Sequence, residues 1–331
     1  MLAVPTPTLP IHRARTTVVL LALGCSTAAH AEDNIGAQHE GAGGVAIADP
    51  RTNAAITLNP GALGLTDRFD VEFLVNAGGG RNFRWGLSAV DARTNEFISF
   101  GLVYNGGLTS VDFLPAELPA WAEVGEDLRN AKQKHELTAA LATNLFDRRL
   151  GIGLNGTLQI HNTRFGGNRT LGNLDVGIAA RPIDYLTLAF AARDLVTVED
   201  TFDQPLTLSY AVRGGVEELI TASFEGDVRM EHVVNSGLDF RFGVDGTIRK
   251  LVKVRGGWDY NGDSTIHGFS WGVGLFSADN GTLNYAMRIP VNDPDLVFGR
   301  IEHTLSLTLF TRVWRRGEEP TESPIVWPDE R

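Results

Sequence analysis

Residues 236–250, SGLDFRFGVDGTIRK, alternate between two faces. Leu238, Phe240, Phe242, Val244 and Ile248 fall on one side. Asp239, Arg241, Asp245, Thr247 and Arg249 fall on the other. A period of two marks a β-strand with one apolar and one polar face. The run is longer than the about 5–6 residues of a typical strand. It suits a tilted membrane-crossing strand, which needs about 9–11. Its neighbours obey the same rule. In 219–231, Thr221, Ser223, Glu225, Asp227, Arg229 and Glu231 alternate with Ala222, Phe224, Val228 and Met230. In 251–260, Lys253, Arg255 and Asp259 alternate with Val252, Val254, Trp258 and Tyr260. Joined as a meander, these strands set acids beside bases, and opposite charges on facing strands attract. A soluble sandwich with its charges outside and a barrel with its charges inside both fit that pattern.

The connections choose between them. Strand-like runs follow one another from residue 69 to residue 311, about fourteen in number, and bacterial barrels have even counts. Short connections at 91–96, 147–148, 182–184, 216–218 and 279–281 alternate with mostly longer ones at 106–135, 161–172, 196–205, 231–236 and 291–300. Short turns at one end and long loops at the other are the arrangement of an outer-membrane barrel. Trp258, Tyr260 and Trp271 are expected near the outer membrane interface, with Tyr210 and Tyr285 also on the lipid face. The expected fold is all-β: a transmembrane antiparallel β-barrel with an N-terminal hatch segment.

The ends agree. Arg13 and Arg15, the apolar run 18–23 and Ala29-His30-Ala31 read as a secretory signal cleaved before Glu32. The expected layout is a signal peptide at 1–31, a hatch at 32–66, the barrel at 67–313 and a polar tail at 314–331. Pro320, Pro324 and Pro328 mark that tail as disordered. Cys25 is the only cysteine and lies within the signal, so no disulfide or thiolate metal site is expected. Asp259, Asn261 and Asp263 open like a calcium loop. Ser264 and Ser270 replace its glycine and glutamate, so no metal or other cofactor is expected. The formal net charge of -11 argues against nucleic acid as a partner.

The segment before the first strand is glycine-rich, with turn signals at Asp49-Pro50 and Asn59-Pro60-Gly61. Its Ala48-Asp49-Pro50, Ala54-Ala55 and Asn59-Pro60-Gly61-Ala62-Leu63 resemble the N-terminal hatch of the FadL/OMPP1 outer-membrane superfamily, most of all its PorV/PorQ-type members. In those, a similar segment ends in an Asn-Pro-Ala-Gly-Leu-type motif and precedes a fourteen-strand barrel. Gly61-Ala62 reverses the usual Ala-Gly order. The resemblance implies a Gram-negative outer-membrane protein that passes hydrophobic solutes such as fatty acids passively. For a PorV-like barrel it implies instead a carrier or anchor for secreted or envelope proteins. Membrane lipid, hydrophobic small molecules and envelope proteins are the expected partners.

Three sets of residues are candidates for function. The hatch turns hold Asp49, Pro50, Asn59, Pro60 and Gly61. A charge network on the lumen wall holds Glu225, Asp227, Arg229, Asp239, Arg241, Asp245, Lys253 and Arg255. Trp121, Val124 and Leu128 recur at helical spacing in the longest loop, which predicts an amphipathic helix over 115–134. No enzyme is expected, because His135, His161, His232, His267 and His303 sit in neither a G-x-S-x-G nor an H-E-x-x-H context. Glycine permits unusual backbone angles. The hatch is therefore expected to rearrange cheaply and to control passage. The charge-balanced wall is expected to fix strand register apart from it rather than to form a polar translocation path, because a selective pore usually shows one sign of charge.

Overall fold

The computed structural model describes residues 36–78, 82–109, 132–163, 167–198, 205–216, 219–230, 237–249, 251–262, 267–277, 281–291 and 301–310. Short helices α1 (Gly36–Glu40) and α2 (Ala55–Leu58) and a 3-10 turn (Pro60–Leu65) come first. Fourteen strands follow: β1 (Phe69–Gly78), β2 (Asn82–Asp91), β3 (Ile98–Thr109), β4 (Lys132–Leu145), β5 (Leu150–Thr163), β6 (Gly167–Ile183), β7 (Leu186–Val198), β8 (Leu206–Val216), β9 (Ile220–Met230), β10 (Leu238–Ile248), β11 (Val252–Tyr260), β12 (His267–Ser277), β13 (Gly281–Val291) and β14 (Glu302–Phe310). Each pairs antiparallel with its sequence neighbours, and β1 pairs with β14 to close the barrel. Closure leaves no sheet edge, as hydrocarbon solvent demands.

The two faces invert the rule for soluble proteins. Leu87, Leu141, Phe190, Phe242, Leu275 and Leu307 are exposed on the outside, while Asn105, Asn155, Glu225, Asp245, Arg255 and Asn284 are buried inside. Exposed apolar and buried polar side chains on one sheet are what a bilayer selects. Tyr210 and Trp271 lie on this outer face. Asp259, on the inner face of β11, is held by Arg288 at 2.7 Å. An arginine substituted for Phe242, mid-strand on the lipid face, is expected to cost about 2–4 kcal/mol, and the same change at Leu251 in a rim turn about 0–1 kcal/mol. Unfolding from lipid vesicles measures both. Equal losses would mean that the depth assignment is wrong.

The two longest expected connections are shorter than the sequence implied. Residues 106–109 and 132–135 belong to β3 and β4, and most of 161–172 continues the β5–β6 ladder, from Leu158↔Gly172 up to Thr163↔Gly167. Beyond the lipid a strand no longer needs strict alternation, so polar runs such as Asn168-Arg169-Thr170 extend the ladder without signalling it. Lys132 and Lys134 are therefore strand residues, not the end of a helix. Trp121, Val124 and Leu128 lie outside the described residues, as do the signal segment and the tail.

Candidate functional site: the hatch and the lumen wall

Residues 36–65 occupy the lumen. Ile47, Ile56, Ala62 and Leu63 are wholly buried. They pack with Leu58 and Leu65 against Val90, Val103, Ala140, Ala142, Ala179, Ala189 and Ala211 of the wall. On β2–β8 the wall thus offers mostly small apolar side chains to the apolar face of the hatch. Elsewhere contact is backbone on backbone. A Cβ at Gly61 would meet the Gly177 carbonyl, one at Gly41 would meet Gly272, and one at Gly257 would meet Ala42 and Gly43. Glycines stand on both sides of these contacts. The hatch glycines therefore serve close approach at least as much as flexibility, which corrects the expectation of cheap rearrangement.

Polar anchors reinforce the packing. The Glu225 Oε2 accepts the backbone N–H groups of Ala46 at 2.9 Å and Ile47 at 3.0 Å. Its Oε1 accepts Arg241 at 2.7 Å. Arg241 also donates to Asp227 at 2.8 Å, and Arg193 reaches the same Asp227 oxygen at 3.0 Å. Arg213 of β8 joins Asp49 of the hatch (3.4 Å) to Asp245 of the wall (3.0 Å), and Arg255 approaches Asp245 at 3.3 Å. The wall charges thus hold the hatch as well as join neighbouring strands, so hatch anchoring and the cross-strand network share Glu225, Arg213 and Asp245. Asn155 donates to the carbonyls of Ile56 and Thr57 at 2.9 and 3.1 Å.

The predicted hatch residues have distinct places. Asp49 grips Arg51 through both carboxylate oxygens, at 3.0 and 3.1 Å. Pro50 is buried beside it. Asn59 caps the 3-10 turn by accepting Gly61 N–H at 3.1 Å, and donates to Ile47 O at 3.0 Å and Ile178 O at 3.3 Å. Pro60 opens that turn, where its missing N–H is not needed. In the predicted wall set, Arg229 pairs with Asp239 at 2.6 Å, and Lys253 lies 5.7 Å from the centroid of the Phe276 ring. Sequence reasoning missed Arg193, Arg213, Asn155 and His39. Arg213 lies on the inner face of β8 with Thr207 and Ser209, so extending the alternation by one strand would have found it.

His39 is buried in the hatch. Its Nδ1–H donates to the Val45 carbonyl at 2.6 Å, so Nε2 accepts the Thr52 hydroxyl. Burial pushes its pKa from 6.5 down to about 4, against the opposing pull of Asp49 and the Val45 bond. Burial alone would raise Asp49, but Arg213 and Arg51 hold it well below the usual carboxylate range. Because His39 is depressed, the unfolded chain takes up the proton first as pH falls. Its contribution is therefore whole above the unfolded pKa and is lost between about pH 6.5 and 4, on the order of 3 kcal/mol in all. Asp49 loses its share only at lower pH. Protease resistance of the hatch should decline across the first window in the native chain and stay flat in His39→Gln. Parallel profiles would show that His39 is not the group responsible.

No family model and no curated protein matches the sequence. Solved structures do. The chain is similar to the CymD monoaromatic hydrocarbon channel, at 9% identity and TM-score 0.59 over 86% of this chain and 98% of that one. It is similar to a Pseudomonas aeruginosa FadL homologue, at 12% and 0.58 over 83% and 98%. It is also similar to the P. putida toluene transporter TodX, at 13% and 0.57 over 84% and 99%. At these identities the likeness is one of fold. The chain is a closed fourteen-stranded transmembrane β-barrel of the kind those channels have.

Proposed function

We propose that the chain is a FadL/OMPP1-type protein of the Gram-negative outer membrane that lets hydrophobic solutes pass passively. The observation that supports this reading is the apolar seam inside the barrel. Ile47, Ile56 and Leu63 of the hatch lie against an alanine- and valine-lined wall on β2–β8, while the paired charges are concentrated on β8–β11. An apolar solute moving along that seam avoids the ion pairs of β9–β11, and breaking a buried pair is strongly unfavourable. The similar barrels include a monoaromatic hydrocarbon channel and a toluene transporter, in keeping with such cargo. Passage then requires the hatch to part from the seam.

The test is uptake of a fluorescent fatty acid and of toluene into vesicles holding the native chain or a chain lacking residues 40–59. Native barrels should exceed empty vesicles, and the deletion should raise the rate further. If neither chain exceeds empty vesicles, transport is wrong. The many anchors of the hatch support a second reading, a PorV-like carrier or anchor for envelope proteins. That reading requires specific co-purification of an envelope protein with a barrel that shows no uptake.

A further inference from the structure

The lipid face carries a device that transport does not use. The Tyr104 hydroxyl on β3 lies 2.8 Å from Nδ1 of His135 on β4, with the rings 6.2 Å apart and tilted by 23°. The Tyr285 hydroxyl on β13 lies 2.8 Å from Nδ1 of His303 on β14, with the rings 6.1 Å apart and tilted by 28°. The two pairs share one diagonal register, because Tyr104 faces Leu137 and Tyr285 faces Leu305, each two residues beyond its histidine. A third pair joins β11 to β12, where Tyr260 lies directly across from His267 with ring centroids 5.0 Å apart and Trp258 stacks on both.

All three histidines point outward, since Glu136, Gly268 and Thr304, their neighbours on the strands, are buried inside. All three lie at the long-loop end of their strands. At the short-turn end the exposed large apolar residues are instead Phe97, Phe146, Tyr185, Leu219 and Leu251, which offer no imidazole. Among the described residues the tryptophans Trp85, Trp258 and Trp271 share the β11–β4 arc with the histidines. On the opposite arc Tyr210, Phe224 and Phe240 form an aromatic cluster that contains no imidazole.

An imidazole N–H facing hydrocarbon would be unsatisfied and costly, so these rings belong at the level of the headgroups. His267 makes ring contacts only and has no hydrogen-bond partner among the described residues, so its ring N–H is open in either tautomer. For His135 and His303, the phenol occupies Nδ1. When it donates there, and equally in the imidazolium, Nε2 carries a hydrogen and is the open donor. We propose that the Tyr–His pairs are three separate binding sites for a lipid with an exposed phosphate monoester headgroup in the leaflet at the long-loop end. Such a phosphate is a strong acceptor of charge-assisted bonds. A phosphodiester shielded by its own cationic headgroup is a weaker one. The sites are spread over separate strand pairs with apolar wall beneath each. That spacing suits individual lipids better than one protein partner.

Native mass spectrometry of the detergent-purified full barrel, loaded with phosphatidic acid or phosphatidylcholine, tests this. Gel mobility of unheated samples controls for folding. The native barrel should retain up to three phosphatidic acid molecules in preference to phosphatidylcholine. Combining His135→Phe, His267→Phe and His303→Phe, which keeps aromatic bulk, should weaken that retention about tenfold or more and leave phosphatidylcholine unchanged. If the triple variant does not fold, His303→Phe alone should remove one retained lipid. Equal retention of the two lipids by the native barrel would overturn the proposal, as would native-like retention by the folded variants. So would a dimer that dissociates on the same substitutions without any lipid preference, because the arc would then be a protein interface.

Discussion

Gly257→Val should drive the hatch off the wall, while Gly256→Ala, one residue away, should leave the protein unchanged. A Cβ at 257 would land on the Ala42 carbonyl and the Gly43 amide, whereas one at 256 meets nothing within 4 Å. Gly257 faces the lumen and Gly256 faces lipid, so the pair separates an effect on the hatch from an effect on β11. Backbone atoms cannot rotate aside as a side-chain tip can. Relief must come from displacement of the hatch, and the expected loss is about 3 kcal/mol, the upper part of the usual range for overpacking. Limited proteolysis should cut the hatch in Gly257→Val and spare the barrel, and hydrophobic uptake should rise toward that of the deletion. A protected hatch and unchanged uptake would show that the close approach does not restrain it.

Glu225→Ala is the second large effect, expected at about 3–5 kcal/mol because it breaks a buried ion pair. It strips acceptors from two hatch N–H groups and leaves Arg241 to Asp227 alone. Arg241→Ala should also be costly, since it leaves the Glu225 carboxylate buried without its guanidinium. The double substitution should cost clearly less than the two singles together, because each single strands a charge that the double removes. Strict additivity in vesicle-unfolding measurements would mean that Glu225 and Arg241 are not acting as one unit. Both variants should loosen the hatch. Arg241→Ala thereby becomes a test of gating as well as of stability.

The barrel was legible in the sequence because lipid enforces a local rule. Each crossing strand must bond its backbone to its neighbours and turn apolar side chains outward, so alternation and turn spacing reveal strand count, faces and order. The ladder above β5 and β6 was not legible, because beyond the lipid that rule lapses.

The charges of β9–β11 were legible for the same local reason, but their partners were not. Glu225 bonds to backbone 178 and 179 residues away in sequence, and Arg213 meets Asp49 of the hatch. No pattern along one strand records what closure brings to its inner face. Gly41, Gly43 and Gly61 read by themselves as points of freedom. Only the closed barrel sets Gly272, Gly257 and Gly177 against them and makes the same residues points of contact. The sequence by itself determined the barrel and its two faces, because a bilayer acts on every strand alike. The tertiary structure decided how the hatch is held, because that depends on contacts that arise only when strand fourteen meets strand one.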